Sequence, residues 1–149
     1  MKLYVFTSEN LTNVWAGVGA QLWAVPLSNS LSSNKGRATK ATKMPIGAFG
    51  LLYCSSEKCF TSPFIIHSTA DPETIVANVW PGKWILPFSI RTIGNPHATL
   101  SWKEAAVELP SCLDRTPLNK LLHVEPLTVF TADEISDADW SFFIKRLAN

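Results

Sequence analysis

Between Glu9 and Glu57 the sequence has no acidic residue at all, although Lys35, Arg37, Lys40 and Lys43 fall inside that stretch within nine positions. Such a cluster is a candidate polyanion contact, because grouped Lys and Arg attract phosphates and release their counterions. A solvated basic loop is the plainer alternative. Cysteine is scarce: Cys54, Cys59 and Cys112 are an odd number without CxxC spacing, and His67, His97 and His123 stand singly. A closed zinc site needs four ligands, usually in close-spaced pairs, so neither a metal nor another cofactor is expected. Long apolar runs are missing too. Stretches such as Phe49 to Cys54 are about a third of the ~20 residues of a membrane-spanning helix. After Met1 and Lys2 the chain reaches Thr7, Ser8 and Glu9 before a secretory apolar region forms, so the expected location is the cytoplasm, with no membrane partner.

The catalytic signatures are absent as well. There is no Gly-x-Ser-x-Gly elbow, phosphate loop, dinucleotide fingerprint, or His-x-Glu with Pro-Cys-x-x-Cys of a zinc deaminase. The acids Asp133, Glu134, Asp137 and Asp139 suit the dipole at a helix start better than paired-carboxylate chemistry. A binding domain is expected rather than an enzyme.

What is present is a foldable chain. Of 149 residues, 46% are hydrophobic, enough to fill one core, and no repeat or second domain is visible, so residues 1–149 are expected to form a single domain. The net charge of +1 hides an asymmetry: residues 1–100 carry eight cations against four acids, residues 101–149 five against eight.

Lys2 to Phe6 reads as a first strand, and Leu11, Val14 and Trp15 share a face of a short helix capped by Thr7 or Ser8 and stopped at Gly17 and Gly19. Gln21 to Pro26 is extended, and Ser28 to Thr42 reads as a long polar loop. Ile46–Tyr53 and Cys59–His67 make a hairpin, with Pro63 demanding an edge or bulge. Lys83 to Ile93 alternates clearly, and Pro87 makes the same demand of an edge or barrel rim. Ser101-x-x-Glu104 opens a helix, another starts near Pro117, and Thr131-x-x-Glu134 opens a terminal helix closed by Lys145 and Arg146. The expected fold is α+β: a curved, barrel-like sheet flanked by short helices and a C-terminal helix.

Tryptophan is abundant, with six in the chain, and Trp15, Trp23, Trp80 and Trp84 lie in the basic part. A core position is the ordinary fate of any one of them. Trp23 and Trp80, however, sit beside proline in extended or irregular segments, where a ring can line a pocket and stack on a nucleobase.

Three segments carry a resemblance: Val5-Phe6-Thr7-Ser8-Glu9-Asn10-Leu11-Thr12-Asn13-Val14, then Gln21-Leu22-Trp23-Ala24-Val25-Pro26, then Gly47-Ala48-Phe49-Gly50-Leu51-Leu52-Tyr53 after the polar segment. Together with Phe64–His67 and Val79–Phe88 they resemble the EVE and YTH branch of the PUA-like superfamily over most of the chain. The resemblance implies a non-catalytic module that accepts a modified base into an aromatic cage, as free-standing readers and the target-reading domains of McrB-type restriction systems do. It implies Trp23 as the cage tryptophan, Trp80 or Trp84 as the second wall, and Ser8 or Asn10 as the polar position reading the base edge. Ala24 stands where YTH readers of methyladenine have serine, which removes a hydroxyl contact and leaves the base identity open. Lys35, Arg37, Lys40 and Lys43 would hold phosphates, and Arg91 is a further candidate. The expected partner is methylated DNA, its base flipped into a slot between indole rings, with a fused or associated nuclease or AAA+ subunit. Modified RNA is the alternative ligand, and a small PUA-like hydrolase of modified nucleosides the alternative class.

Overall fold

The computed structural model describes residues 1–149. Strand β1 (Lys2–Ser8) sits inside an eight-stranded mixed sheet, pairing in parallel with β3 (Phe49–Cys54) and antiparallel with the short β8 (Ala132–Glu134). From β3 the sheet runs antiparallel through β4 (Cys59–Ile66) and β6 (Trp84–Thr92) to β2 (Leu22–Pro26). Two short strands, β5 (Ile75–Val76) on β6 and β7 (Thr99–Ser101) on β4, complete it.

Because side chains alternate along a strand, β1 feeds two cores at once. Tyr4 and Phe6 point into a cluster that holds Trp23, Phe64, Trp80, Trp84 and Phe88. Leu3 and Val5 point into a second cluster with Leu51, Phe60, Leu100 and Phe143. Helix α1 (Leu11–Ala20) packs beside the first cluster. The second is covered by α3 (Trp102–Glu108), the single turns α4 (Pro110–Leu113) and α5 (Leu118–Leu121), and α6 (Asp137–Leu147). The outcome is the expected α+β architecture around a curled sheet.

The prolines inside β4 and β6 sit in bulges. The β3–β4 register slips between Gly50 and Leu52, so Ser62 and Pro63 oppose one residue, and Ser62 takes φ 50°. The β2–β6 register slips between Trp23 and Val25, so Leu86 and Pro87 oppose Ala24, and Leu86 takes φ 58°. A bulge absorbs a residue that cannot donate to the ladder, which lets proline lie in two interior strands.

Four expectations are corrected. The polar stretch expected to be a loop contains helix α2 (Leu31–Ala41), capped by Ser30, whose side chain accepts from Ser33 N–H. Its only apolar inward residues are Ala38 and Ala41, too small to register as an amphipathic stripe. Asn34 also ties the helix start to Ser28 through two hydrogen bonds of 3.0 and 2.9 Å. The terminal helix begins not at Thr131 but after Ser136, which forms a capping box with Asp139. Ala132–Glu134 instead extend the sheet, because β1 leaves a free ladder edge there. Helix α1 is capped by Asn10 rather than Thr7 or Ser8, and it runs through Gly17 and Gly19 to end at a left-handed Gln21. Finally, Glu104 does not reach back to its cap; it pairs with Arg146 of α6.

Asp139 ties α6 to α4. Fully buried, it accepts from Ser111 N–H at 2.9 Å and Ser111 Oγ at 2.5 Å, and from the Ser136 N–H at 3.1 Å. Burial pushes its carboxyl up, but the hydrogen bonds from Ser111 and Ser136 outweigh this and hold it below the usual carboxylate range. A depressed folded-state value stabilises above the unfolded carboxylate range and is lost as pH falls through the folded value. Asp139→Asn is therefore expected to cost about 1.5–3 kcal/mol at neutral pH. It should also flatten the acid limb of stability against pH, as measured by urea unfolding across a pH series.

Candidate functional site

A hollow of about 500 Å³ opens where β1 and β2 end. Phe6 and Thr7 of β1, Glu9 just beyond it and Asn13 of α1 form one side. Trp23 to Ser28 form the floor and far wall with Trp84, and Ser33 and Arg37 project from α2. Pro126, Leu127 and Val129, around a single 3-10 turn, close the remaining side. The volume lies within the roughly 300–1,000 Å³ of small-ligand sites.

The wall is fixed by packing of indoles. Trp80 stacks on Trp84 with centroids 4.5 Å apart and planes 27° from parallel, while Trp23 meets Trp80 edge-on at 5.3 Å and Trp84 edge-on at 6.0 Å. Sandwiching a base between two rings needs ~7 Å between their planes, two contacts of ~3.5 Å. No base fits between Trp80 and Trp84, nor in the expected slot between Trp23 and Trp80. The hollow lies instead beside the cluster, with Trp23 and Trp84 in its lining and Trp80 behind them. The indole N–H groups are occupied: Trp80 Nε1 donates to Asn13 O at 2.9 Å and Trp84 Nε1 to Pro81 O at 3.0 Å. Gly17 makes the arrangement possible, since a Cβ there would meet the Trp23 ring at 2.6 Å.

Of the sequence-predicted residues, Trp23, Ala24, Trp84 and Arg37 line the cavity. Ser8 and Asn10 do not. Ser8 is buried with its Oγ donating to Asn10 O at 2.7 Å, and the Asn10 side chain is spent on the α1 cap. Lys35 and Lys40 are exposed on α2 and Lys43 follows it, all outside the lining, with Lys35 facing a second hollow of about 290 Å³ that also contains Glu73. Arg91 is exposed on β6 opposite Ile65, also away from the cavity. No three His, Cys, Asp or Glu side chains gather as a metal group.

Sequence reasoning missed Thr7, Glu9, Asn13 and Ser33 as lining residues. Asn13 was within reach, one helical turn beyond the Asn10 cap. The turn at Pro126–Thr128 carries no local signal of any kind; it arrives from 100 residues away. Arg37 is the cavity's only cation: Nη1 donates to Pro26 O at 2.8 Å, Nη2 to Asn34 Oδ1 at 2.6 Å, and Nε is buried without a partner. Burial lowers its guanidinium from the ordinary value, yet no carboxylate neutralises it. Glu9, the cavity's only acid, makes neither an ion pair nor a side-chain hydrogen bond.

No protein-family model matches the sequence, and no curated protein matches it. Solved structures match its fold. The Pho92 YTH domain in complex with m6A superposes with a TM-score of 0.63 at 14% identity, covering 99% of this chain and 84% of that one. The YTH domain of Zygosaccharomyces rouxii MRB1, in complex with N6-methyladenosine RNA, gives 0.60 at 15% identity over 95% of this chain and 84% of that one. Protein Atu2648 from Agrobacterium tumefaciens gives 0.54 at 13% identity over 100% of this chain and 96% of its own. The chain has the YTH-like form of the PUA-like fold, as the sequence resemblance implied.

Trp23 is 1% exposed and belongs to the first core cluster, so its contribution to folding exceeds that of a pocket wall alone. Trp23→Ala is expected to lower stability by about 3–5 kcal/mol, measured by urea unfolding. Loss of ligand binding in that variant therefore has to be read beside its unfolding curve.

Proposed function

We propose that this protein is a non-catalytic reader of a methylated base, taken in extruded form into the cavity lined by Trp23 and Trp84. The observation that carries the reading is that cavity: a largely apolar hollow of about 500 Å³ that borders the buried Trp23 and Trp84, at the strand ends of a YTH-like fold. Stacking on an aromatic contributes roughly 1–3 kcal/mol per base, and each buried methyl carbon adds ~0.8 kcal/mol, which yields discrimination without chemistry. The His123–Asp133 pair, at 2.7 Å, is the one acid–imidazole contact, and neither residue lines the cavity.

The proposed ligand is single-stranded RNA. Structural neighbours solved with a ligand carry N6-methyladenosine or m6A-modified RNA, and extruding a base costs least where it is unpaired. Methylated DNA, with a restriction nuclease or AAA+ partner, is the competing outcome of the same measurement. Lys40 and Lys43, exposed beside the cavity helix, supply sequence-independent phosphate attraction.

Competition binding with matched methylated and unmethylated RNA and DNA oligomers tests the reading, and the methylated RNA is expected to win. Ser33 is half-buried on α2 and faces the hollow, so Ser33→Trp should fill it without disturbing the core. That variant is expected to lose the preference for the methylated oligomer while keeping weak, salt-dependent binding. Lys40→Glu with Lys43→Glu should weaken every oligomer alike. Equal loss for all oligomers with Ser33→Trp would overturn the proposal.

A further inference from the structure

Two opposite charges face one cavity without meeting. Glu9 and Arg37 both line it, yet they form no ion pair with each other or with any other residue, and the Glu9 carboxylate makes no hydrogen bond. Arg37 is held in place by Pro26 O and Asn34 Oδ1, leaving its other N–H groups uncommitted and Nε buried without a partner. Glu9, exposed at the mouth of the hollow, and Arg37, half-buried in its wall, are free of carboxylate or cation partners, and together they suit a ligand with donors at one edge and acceptors at another, because a carboxylate only accepts and a guanidinium only donates.

We infer that the base held between Glu9 and Arg37 is a guanine. This rests on the base-reader proposal and names the base within it. Guanine alone among the common bases presents two adjacent donors, N1–H and N2–H, which match the two oxygens of a carboxylate. Its O6 and N7 acceptors match the fork of a guanidinium, the commonest specific pairing of arginine with a base. Adenine and cytosine each place an acceptor nitrogen beside the amino group, directly against the lone pairs of Glu9. Uracil sets one N–H between two carbonyls, with the same conflict on both sides. The side-chain amide of Asn13, also in the lining and free of intrachain hydrogen bonds, offers a donor and an acceptor and so fits any of them. Arg37 as a phosphate anchor fits less well than as a base reader, since an anion there would share the cavity with Glu9. The methyl group then lies outside the N1–H and N2–H pair, or replaces only one N2 hydrogen, so that two donors remain for Glu9.

The test is titration of intrinsic tryptophan fluorescence with uridine pentanucleotides carrying one central base: guanine, N2-methylguanine, hypoxanthine, adenine or N6-methyladenine. Both guanines are expected to bind more tightly than hypoxanthine, which lacks the N2 amine, and than either adenine, by about 5- to 150-fold. Glu9→Gln keeps the side-chain shape and disturbs no internal contact. It should erase that preference, raising adenine relative to guanine, with an unchanged melting temperature. Arg37→Lys, which keeps the charge and removes the fork, should also narrow the gap. If N6-methyladenine binds as tightly as the guanines, or Glu9→Gln leaves the ranking intact, the inference fails while the base-reader proposal stands. If no central base alters binding relative to the all-uridine pentamer, the base-reader proposal fails with it.

Discussion

Close contact among Trp23, Trp80 and Trp84 is the constraint on which the rest of this molecule depends. The three rings join β2, β6 and the segment before β6, and Trp80 reaches through its indole N–H to the backbone of α1 at Asn13. Gly17 lets the Trp23 ring lie flush on α1. Aromatic pairs in offset or edge-on geometry add to the area they bury, so this cluster both strengthens the first core and backs one side of the cavity. A wall that is also core is well placed for recognition, because its rings have no alternative rotamers to lose on binding.

The remaining sides of the cavity are built differently. The end of β1 brings Thr7 and Glu9, α2 brings Ser33 and Arg37, and the turn after α5 brings Pro126 and Leu127, the last largely exposed at the rim. These are polar or solvent-facing groups on separate elements, each anchored by its own backbone contacts. Asn34 is the pivot of α2, bonding Ser28 at the helix start and Arg37 one turn later. One asparagine thus sets both where the helix begins and where the guanidinium points.

Much of this was readable in advance, for local reasons. Pro63 cannot donate to a ladder, so an edge or a bulge was required of its strand, and the sheet supplies a bulge with left-handed Ser62. Pro87, expected at an edge or barrel rim, lies instead in interior β6, where a bulge with left-handed Leu86 accommodates it. Lys145 and Arg146 closed the last helix correctly because a dipole end favours cations whatever the surroundings. The failures were equally physical. Thr131-x-x-Glu134 has the spacing of a capping box, but an unpaired edge of β1 claimed those residues first, and Ser136 offered a second box five positions on. Helix α2 hid behind serine, lysine and two alanines because its inward face needs little bulk where it meets Met44 and the sheet. Trp80 was placed in the wall on account of its neighbouring proline, yet its buried ring is stacked on Trp84 behind the cavity.

Residue order alone was enough to specify the α+β composition, the proline-marked strand irregularities, the basic character of the stretch from Lys35 to Lys43, and the likeness to YTH-like domains carried by Val5 to Val14, Gln21 to Pro26 and Gly47 to Tyr53. Each of these depends on neighbours within a few positions or on a short motif. Whether an indole faces ligand or another indole, and whether Glu9 and Arg37 come to the same hollow, depends on contacts between segments up to 100 residues apart. Such contacts are settled by the closing of the sheet, which no local periodicity encodes.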